Sequence, residues 1–334
     1  MNRKDDHIAL AARQEILTND FDKVRFVHNA LPGVSMNAVD YRTTIAGFDI
    51  PVPIYINAMT GGSEKAMTIN TKLAEIAASL GIPMALGSAS IALKKKETAA
   101  TFTIVRKHNP DGLIMANIGA GVLLKDAKEA VDLLKADILQ LHINAVQEVI
   151  MPEGDRDFSQ WRENIRSLTK EIDVPVIVKE VGFGMSKATI TELKDCGVKI
   201  IDLSGKGGTD FAAIENRRRD KPMPFFNGWG LSTVESLLEA RDSEGIRFLA
   251  SGGIRNALDV VKALALGADA VGLSRFFLDL ALNETTEAAT EKTMDLLDEI
   301  KSIMTVLGAP SVEALRKTPI VLSDSLLTFV QQRQ

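Results

Sequence analysis

Eight times between residues 52 and 274 the chain repeats one pattern. A short, β-rich apolar run ends in polar or glycine residues, and a helical stretch follows. The apolar runs fall at 52–59, 83–88, 113–119, 138–144, 174–181, 199–204, 247–251 and 270–274. Helical periodicity fills the gaps, as at 64–80 ("EKAMTINTKLAEIAASL"), 123–135, 161–171, 187–196, 233–240 and 257–266. Strands that alternate with helices imply a parallel sheet. Eight such units predict an α/β fold closed as a TIM (β/α)8 barrel rather than an open doubly wound sheet.

The barrel is expected over residues 51–306. Residues 1–50 precede it as an extension packing on the barrel: a charged helical start, then "MNAVDYRTTIAGFDIPVPI", which reads as a hairpin across one end. Residues 307–334 read as helix, turn and a C-terminal tail of the same domain. One connection is unusually long, 206–229, "KGGTDFAAIENRRRDKPMPFFNGW". Long loops in compact domains are functional lids or disordered, and Phe225, Phe226 and Trp229 favour a lid or an interface here.

Charge and composition remove several classes of function. A net charge of −5 gives no basic field for nucleic acid. Lys94–Lys96 and Arg217–Arg219 are local basic runs, read as solvated faces or anion contacts. The one cysteine, Cys196, allows no disulfide or cysteine-rich zinc site within the chain, and reads as a small buried hydrophobe. No run of about 18 apolar residues predicts a membrane span. The start, "MNRKDDHIALAARQ", has no long apolar region, so a cytoplasmic location is expected. No HExxH, CxxC or serine-elbow pattern occurs.

Active sites of such barrels lie at the carboxyl ends of the strands. Here those ends are rich in Gly, Ser, Asn and Thr, which suits a cradle of backbone N–H groups for something large and anionic. Gly252 and Gly253 close the seventh strand and open into a helix, and the eighth ends at Ser274-Arg275. Barrels commonly bind phosphate between those two loops, on a helix N-terminus. Lys179 points inward on the fifth strand, where a lone charge is costly and needs a partner. A flavin ring would supply one. A Schiff-base role, or an ion pair with Glu180 or another carboxylate, are the other readings. Asn117, Ser88, Ser204 and Thr209 suit further contacts around the same ring and its side chain.

The stretch "ILQLHINAVQEVIMPEGDRDF" is less ordinary. Alternation puts Gln140, His142 and Asn144 together on the inward face. His142 also reads as a hydrogen-bonded core histidine. Gln147 does not titrate, so it can hold a substrate or relay a proton but is a poor base alone. Glu148 could bind Mg2+, which takes one or two carboxylates plus substrate phosphate oxygens. Near the start, Arg3, Lys4 and His7 read either as a solvated helix end or as an arm over a diphosphate.

Taken together, "RKDDHI", "NAMTGGS", "HINAVQE", "MPEGDRDF", "VKEVGFGMS", "DLSGKGGTDFAAIENRR", "GWGLSTVESL" and "ASGGIRNALDVVKALALGADAVGLSR" resemble the type 2, FMN-dependent isopentenyl diphosphate isomerases over almost the whole chain. The pairing of an N-terminal "RK..H" with "H.N..QE" is the specific part. The resemblance implies interconversion of isopentenyl and dimethylallyl diphosphate without net redox change. It implies reduced FMN as the acid and base, NADPH as its reductant, and Mg2+ on the diphosphate. Carried over position by position, Arg3, Lys4 and His7 are diphosphate contacts, His142, Asn144 and Gln147 catalytic and substrate-side residues, and Glu148 the metal ligand. FMN contacts fall at Ala58, Met59, Thr60, Ser88, Asn117, Lys179, Ser204, Thr209, Gly253, Ile254, Arg255, Ser274 and Arg275. One departure is Ala89-Ser90, where some members carry Gln-Arg. The resemblance also implies a homo-oligomer, a tetramer or octamer, with no nucleic-acid or membrane partner. Two other readings are an FMN-dependent 2-hydroxy-acid oxidoreductase and a flavin-free barrel that binds a phosphorylated metabolite.

Overall fold

The structure is a computed structural model that describes residues 8–10, 14 and 18–333. Eight parallel strands close a barrel: β1 (Ile54–Ile56), β2 (Met84–Ala85), β3 (Ile114–Gly119), β4 (Ile138–His142), β5 (Val176–Lys179), β6 (Ile200–Asp202), β7 (Arg247–Ser251) and β8 (Ala270–Leu273). β8 returns to β1, pairing Val271 with Ile54. No edge is left in the ring. The expected strands are all present, most of them shorter than the apolar runs that announced them.

Two packing layers follow from the alternation along each strand. Residues facing outward, such as Leu139 and Leu141 on β4, join the large core between barrel and helices. Residues facing inward form a second cluster: Tyr55, Ala85, Met115, Ile138, Ile177, Ile200, Leu249 and Ala270. Its lower end is closed by Ile45 and Ile50, from the hairpin of Thr43–Ile45 and Phe48–Ile50. One pleat higher the inward side chains are polar: Asn117, Gln140, Lys179, Asp202 and Ser251, all buried. The barrel is therefore an apolar plug below and a polar floor above.

The helices carry their own stop signals. Helix Glu64–Leu80 starts at Ser63, whose hydroxyl accepts the Ala66 N–H, and stops at Gly81 with φ 66°. Only a residue at ease in the left-handed region ends a helix this way. Its stripe of Ala66, Ile69, Leu73, Ala74 and Ala77 is buried, and truncating Leu73 to Ala would cost roughly 2–5 kcal/mol. Helix Thr233–Ala240 opens with a reciprocal capping box between Ser232 and Glu235.

Three features depart from the sequence expectations. Residues Val24–Phe26 pair antiparallel with Ile320–Leu322, so the C-terminal segment contains a strand as well as helices. The long 206–229 connection is mostly ordered, with helix Phe211–Asn216 capped by Asp210 and a turn at Pro224–Phe226. Asn144 is not on β4: with φ −149° and ψ 43° it is the N-cap of helix Ala145–Ile150. The strand ends at His142 because the chain must turn there to enter that helix.

Candidate functional site

The polar floor is a connected set of hydrogen bonds. Asp202, fully buried, accepts from Tyr55 Oη at 2.6 Å, Ser251 Oγ at 2.8 Å and the Ser204 N–H at 3.3 Å. Burial and the neighbouring carboxylate hold the Tyr55 hydroxyl well above its ordinary pKa, so it stays a donor. Lys179 Nζ lies 3.9 Å from Asp202 Oδ2 and donates to the Glu180 carbonyl at 2.5 Å. The carboxylate closest to Lys179 is thus that of Asp202, not of its neighbour. Glu180 instead accepts from the Val181 and Phe183 N–H groups. Burial pushes its pKa up to about 8 against the pull of those bonds and of Lys179.

On the next strands His142 Nδ1 meets Asn117 Oδ1 at 2.8 Å, and Asn117 Nδ2 donates to Gln140 Oε1 at 3.2 Å. The register sets this up: β3 and β4 place Asn117 beside Gln140 and Gly119 beside His142.

Above β4 the helix Ala145–Ile150 brings three candidates together. Asn144 Nδ2 donates to Gln147 Oε1 at 3.3 Å and to Glu148 Oε1 at 2.9 Å. Gln147 Nε2 donates to Glu215 Oε1 at 3.1 Å. Glu215 is fully buried and pairs with Arg218 at 2.5 Å, which pairs with Glu153 at 2.7 Å. Glu148 Oε2 accepts the Asp155 N–H at 2.9 Å. Sequence reasoning missed Glu215. Its only local signal is a glutamate three residues before an arginine in the long loop.

The glycine loops after β6 and β7 touch. A Cβ on Gly208 would lie 2.7 Å from the Gly253 backbone nitrogen, and Gly253 has φ 74°. Only bare backbone fits both positions. Asn19 straps the pair from the N-terminal segment, donating through Nδ2 to Gly253 O at 2.7 Å and Gly207 O at 3.3 Å. Ser204, at the end of β6, sits at φ 36°, a strained conformation for a residue with a Cβ. Its carbonyl accepts from Gly182 and Gly184.

Of the two helices that follow β7 and β8, Ala257–Ala265 is already capped by Asn256. Ser274 leaves helix Arg275–Asn283 without a side-chain cap. The first turn of the second helix therefore has no acceptor from its own cap residue. Arg255 is committed to Asp22 and Asp259, and Arg275 to Asp279. The Arg255 guanidinium holds the Asp22 carboxyl down at about 2.

The remaining candidates line the mouth. Thr60 Oγ1 is buried with no hydrogen-bond partner. Ser88 Oγ donates to Ser90 Oγ at 3.1 Å, so the Ala89-Ser90 departure substitutes a hydroxyl pair. Ala58, Met59, Thr209 and Ile254 sit in the loops after β1, β6 and β7. Arg3, Lys4 and His7 lie outside the described residues. Cys196 is buried away from this mouth, and burial raises its thiol pKa.

The donor set fits a flavin mononucleotide on three counts: an orphaned buried hydroxyl at Thr60, an inward Lys179, and a glycine cradle beside an uncapped helix. For a metal the set is thinner. Among the described residues no three acids or histidines cluster. Glu148 fits a metal only as one carboxylate for an ion that arrives with a diphosphate. No helix of the described residues is long and apolar enough to cross a membrane.

Comparison with known proteins agrees with this geometry. The FMN-dependent dehydrogenase family matches residues 94–322. An isopentenyl-diphosphate delta-isomerase of Staphylococcus epidermidis is 48% identical over 99% of this chain and 96% of its own length. One from Staphylococcus aureus is 47% identical at the same coverage. Among solved structures, the flavin-binding domain of baker's yeast flavocytochrome b2 aligns with TM-score 0.69 at 19% identity, covering 100% of this chain and 81% of that one. A mandelate oxidase variant carrying an FMN adduct aligns with TM-score 0.59 at 19% identity, covering 95% and 92%. At those identities the two structures share the fold.

Proposed function

The chain belongs to the isopentenyl-diphosphate delta-isomerase family, built on the FMN-dependent dehydrogenase barrel, and from that membership we propose that it interconverts isopentenyl and dimethylallyl diphosphate. The observation that carries the reading is the buried Gln147–Glu215 pair. It joins the helix after β4 to the helix in the loop after β6.

Allylic isomerisation adds a proton at one carbon of an alkene and removes one from another. An alkene is a weak base, so the donor must be held close and water kept out. Bound FMN, kept reduced by NADPH, supplies a group able to give and take that proton. Ala58, Met59, Thr60, Ser88, Asn117, Lys179, Ser204 and Thr209 would hold its ring and side chain. Gly253, Ile254, Ser274 and the backbone beside Arg255 and Arg275 would hold its phosphate.

Gln147 faces the other side of the alkene. Its carbonyl oxygen takes the Asn144 N–H and its amide nitrogen donates to Glu215, so it is held in one orientation. An amide held so can pass a proton, accepting at Oε1 while Nε2 gives one to the Glu215 carboxylate. Gln147 then relays and the Glu215 carboxylate takes the proton. Asn144 orients both Gln147 and Glu148. Glu148 would hold Mg2+ arriving with the substrate diphosphate, and Arg3, Lys4 and His7 would be further contacts of that diphosphate. His142 contributes a substrate contact beside Gly119.

The test is conversion of isopentenyl diphosphate by the anaerobic, flavin-reduced protein without net consumption of NADPH. Steady consumption with a 2-hydroxy acid would support the oxidoreductase reading instead.

A further inference from the structure

We propose that Met115 and Gln140 are positioning residues that set the tautomer of His142. The proposal deepens the reading of β4 as the substrate wall and rests on it. Met115, Gln140, Asn117 and His142 form one string across β3 and β4. Gln140 Nε2 donates to Met115 Sδ at 3.4 Å, Gln140 Oε1 accepts from Asn117 Nδ2 at 3.2 Å, and Asn117 Oδ1 meets His142 Nδ1 at 2.8 Å.

Such a string has two self-consistent directions. Turning one amide alone sets oxygen against oxygen, or one NH2 group against another. Turning both restores the central bond but reverses the ends. Gln140 would then aim its carbonyl at the sulfur, and Asn117 would donate to a bare Nδ1. A thioether is a weak acceptor and has no proton to give. Met115 and Gln140 are fully buried, so no solvent is at hand to satisfy a carbonyl turned to the sulfur. Only the forward direction pairs every group. In it Asn117 presents an acceptor, and His142 must carry its proton on Nδ1.

The consequence falls on Nε2. Neutral imidazole then offers a lone pair there, and imidazolium offers an N–H at the same atom without rearrangement behind it. Gly119 packs against that edge without a side chain, since a Cβ at position 119 would come within 3.2 Å of Nε2. The contact made in the mouth is thus decided by a sulfur atom three hydrogen bonds behind the imidazole.

The experiment is long-range proton–nitrogen NMR of the full-length FMN-bound protein labelled with 15N-histidine. With four histidines in the chain, His142 is assigned by the signal lost in His142→Gln. Spectra are taken about two pH units above the ordinary imidazole pKa. The wild type is expected to show the Nδ1–H pattern for His142. Met115→Leu, close in volume, should convert it to a mixture with a raised Nε2–H population, and Gln140→Leu should do the same. A wild-type Nε2–H pattern would overturn the proposal, as would an unchanged Nδ1–H pattern in both variants. The wild-type spectrum is decisive even if a variant fails to fold. It is recorded without substrate, so a protein inactive on isopentenyl diphosphate would count against the proposed function and leave this result standing.

Discussion

Gln147 and Glu215, 68 positions apart in the chain, share a 3.1 Å hydrogen bond inside a wall that closes both off from solvent. Glu215 comes from a short helix in the longest loop, and Arg218 on that loop balances its charge. If the amide relays a proton to the carboxylate, Glu215→Gln and Gln147→Ala should each lower kcat by on the order of 100-fold. FMN affinity should stay within about threefold, because neither residue faces the glycine cradle. Steady-state kinetics beside a flavin titration check this. Turnover that survives within a few-fold would remove the relay.

The pKa of Glu180 gives a pH signature of stability. In the folded chain burial raises it from 4.5 to about 8. Between those values the unfolded chain has lost the proton and the folded chain keeps it. Stability therefore falls as pH rises through that window, by at most about 1.4 kcal/mol per pH unit. Urea midpoints measured across the window should decline in the wild type and decline less in Glu180→Gln. Parallel curves would show that Glu180 does not carry the dependence.

Asn19 ties the N-terminal segment to the loops after β6 and β7. Serine at this position can still cap the turn at Asp20–Lys23 but cannot reach Gly253. Each lost bond is worth about 0.5–1.5 kcal/mol net. Asn19→Ser should accordingly weaken FMN binding by about tenfold and lower the melting temperature of the flavin-free protein by roughly a few degrees. Fluorescence titration of FMN reads the first and a thermal melt the second.

Gly208 has no left-handed backbone to protect, so only its crowding against Gly253 is at stake. A methyl group there must push the two loops apart. Gly208→Ala should abolish tight FMN binding while circular dichroism remains that of the wild type. Retained flavin at wild-type stoichiometry would show that the cradle lies elsewhere.

The barrel was legible in the sequence because each unit carries its own signals. Helices 64–80, 161–171 and 233–240 match the structure to the residue. Two of them are bounded by Ser63 and Gly81 and by the Ser232–Glu235 box. Strand ends were overdrawn, as at Asn144, because apolar and polar alternation continues past the last ladder bond. Inward polarity at Gln140 and Lys179 was readable from alternation alone. Their partners were not. Asp202 and Asn117 meet them through strand register, and Glu215 meets Gln147 through a loop crossing, which no local window contains. The pairing of Val24–Phe26 with Ile320–Leu322 was hidden for the same reason.

The proposed reaction exchanges protons, not hydrides, with the substrate. It is tested most directly by running the anaerobic, flavin-reduced protein on isopentenyl diphosphate in D2O, with NADPH monitored throughout. Proton exchange should leave deuterium from solvent in both alkene isomers as they equilibrate, with far less than one NADPH consumed per turnover. One NADPH oxidised per product formed, with its C4 hydrogen recovered in that product, would contradict it.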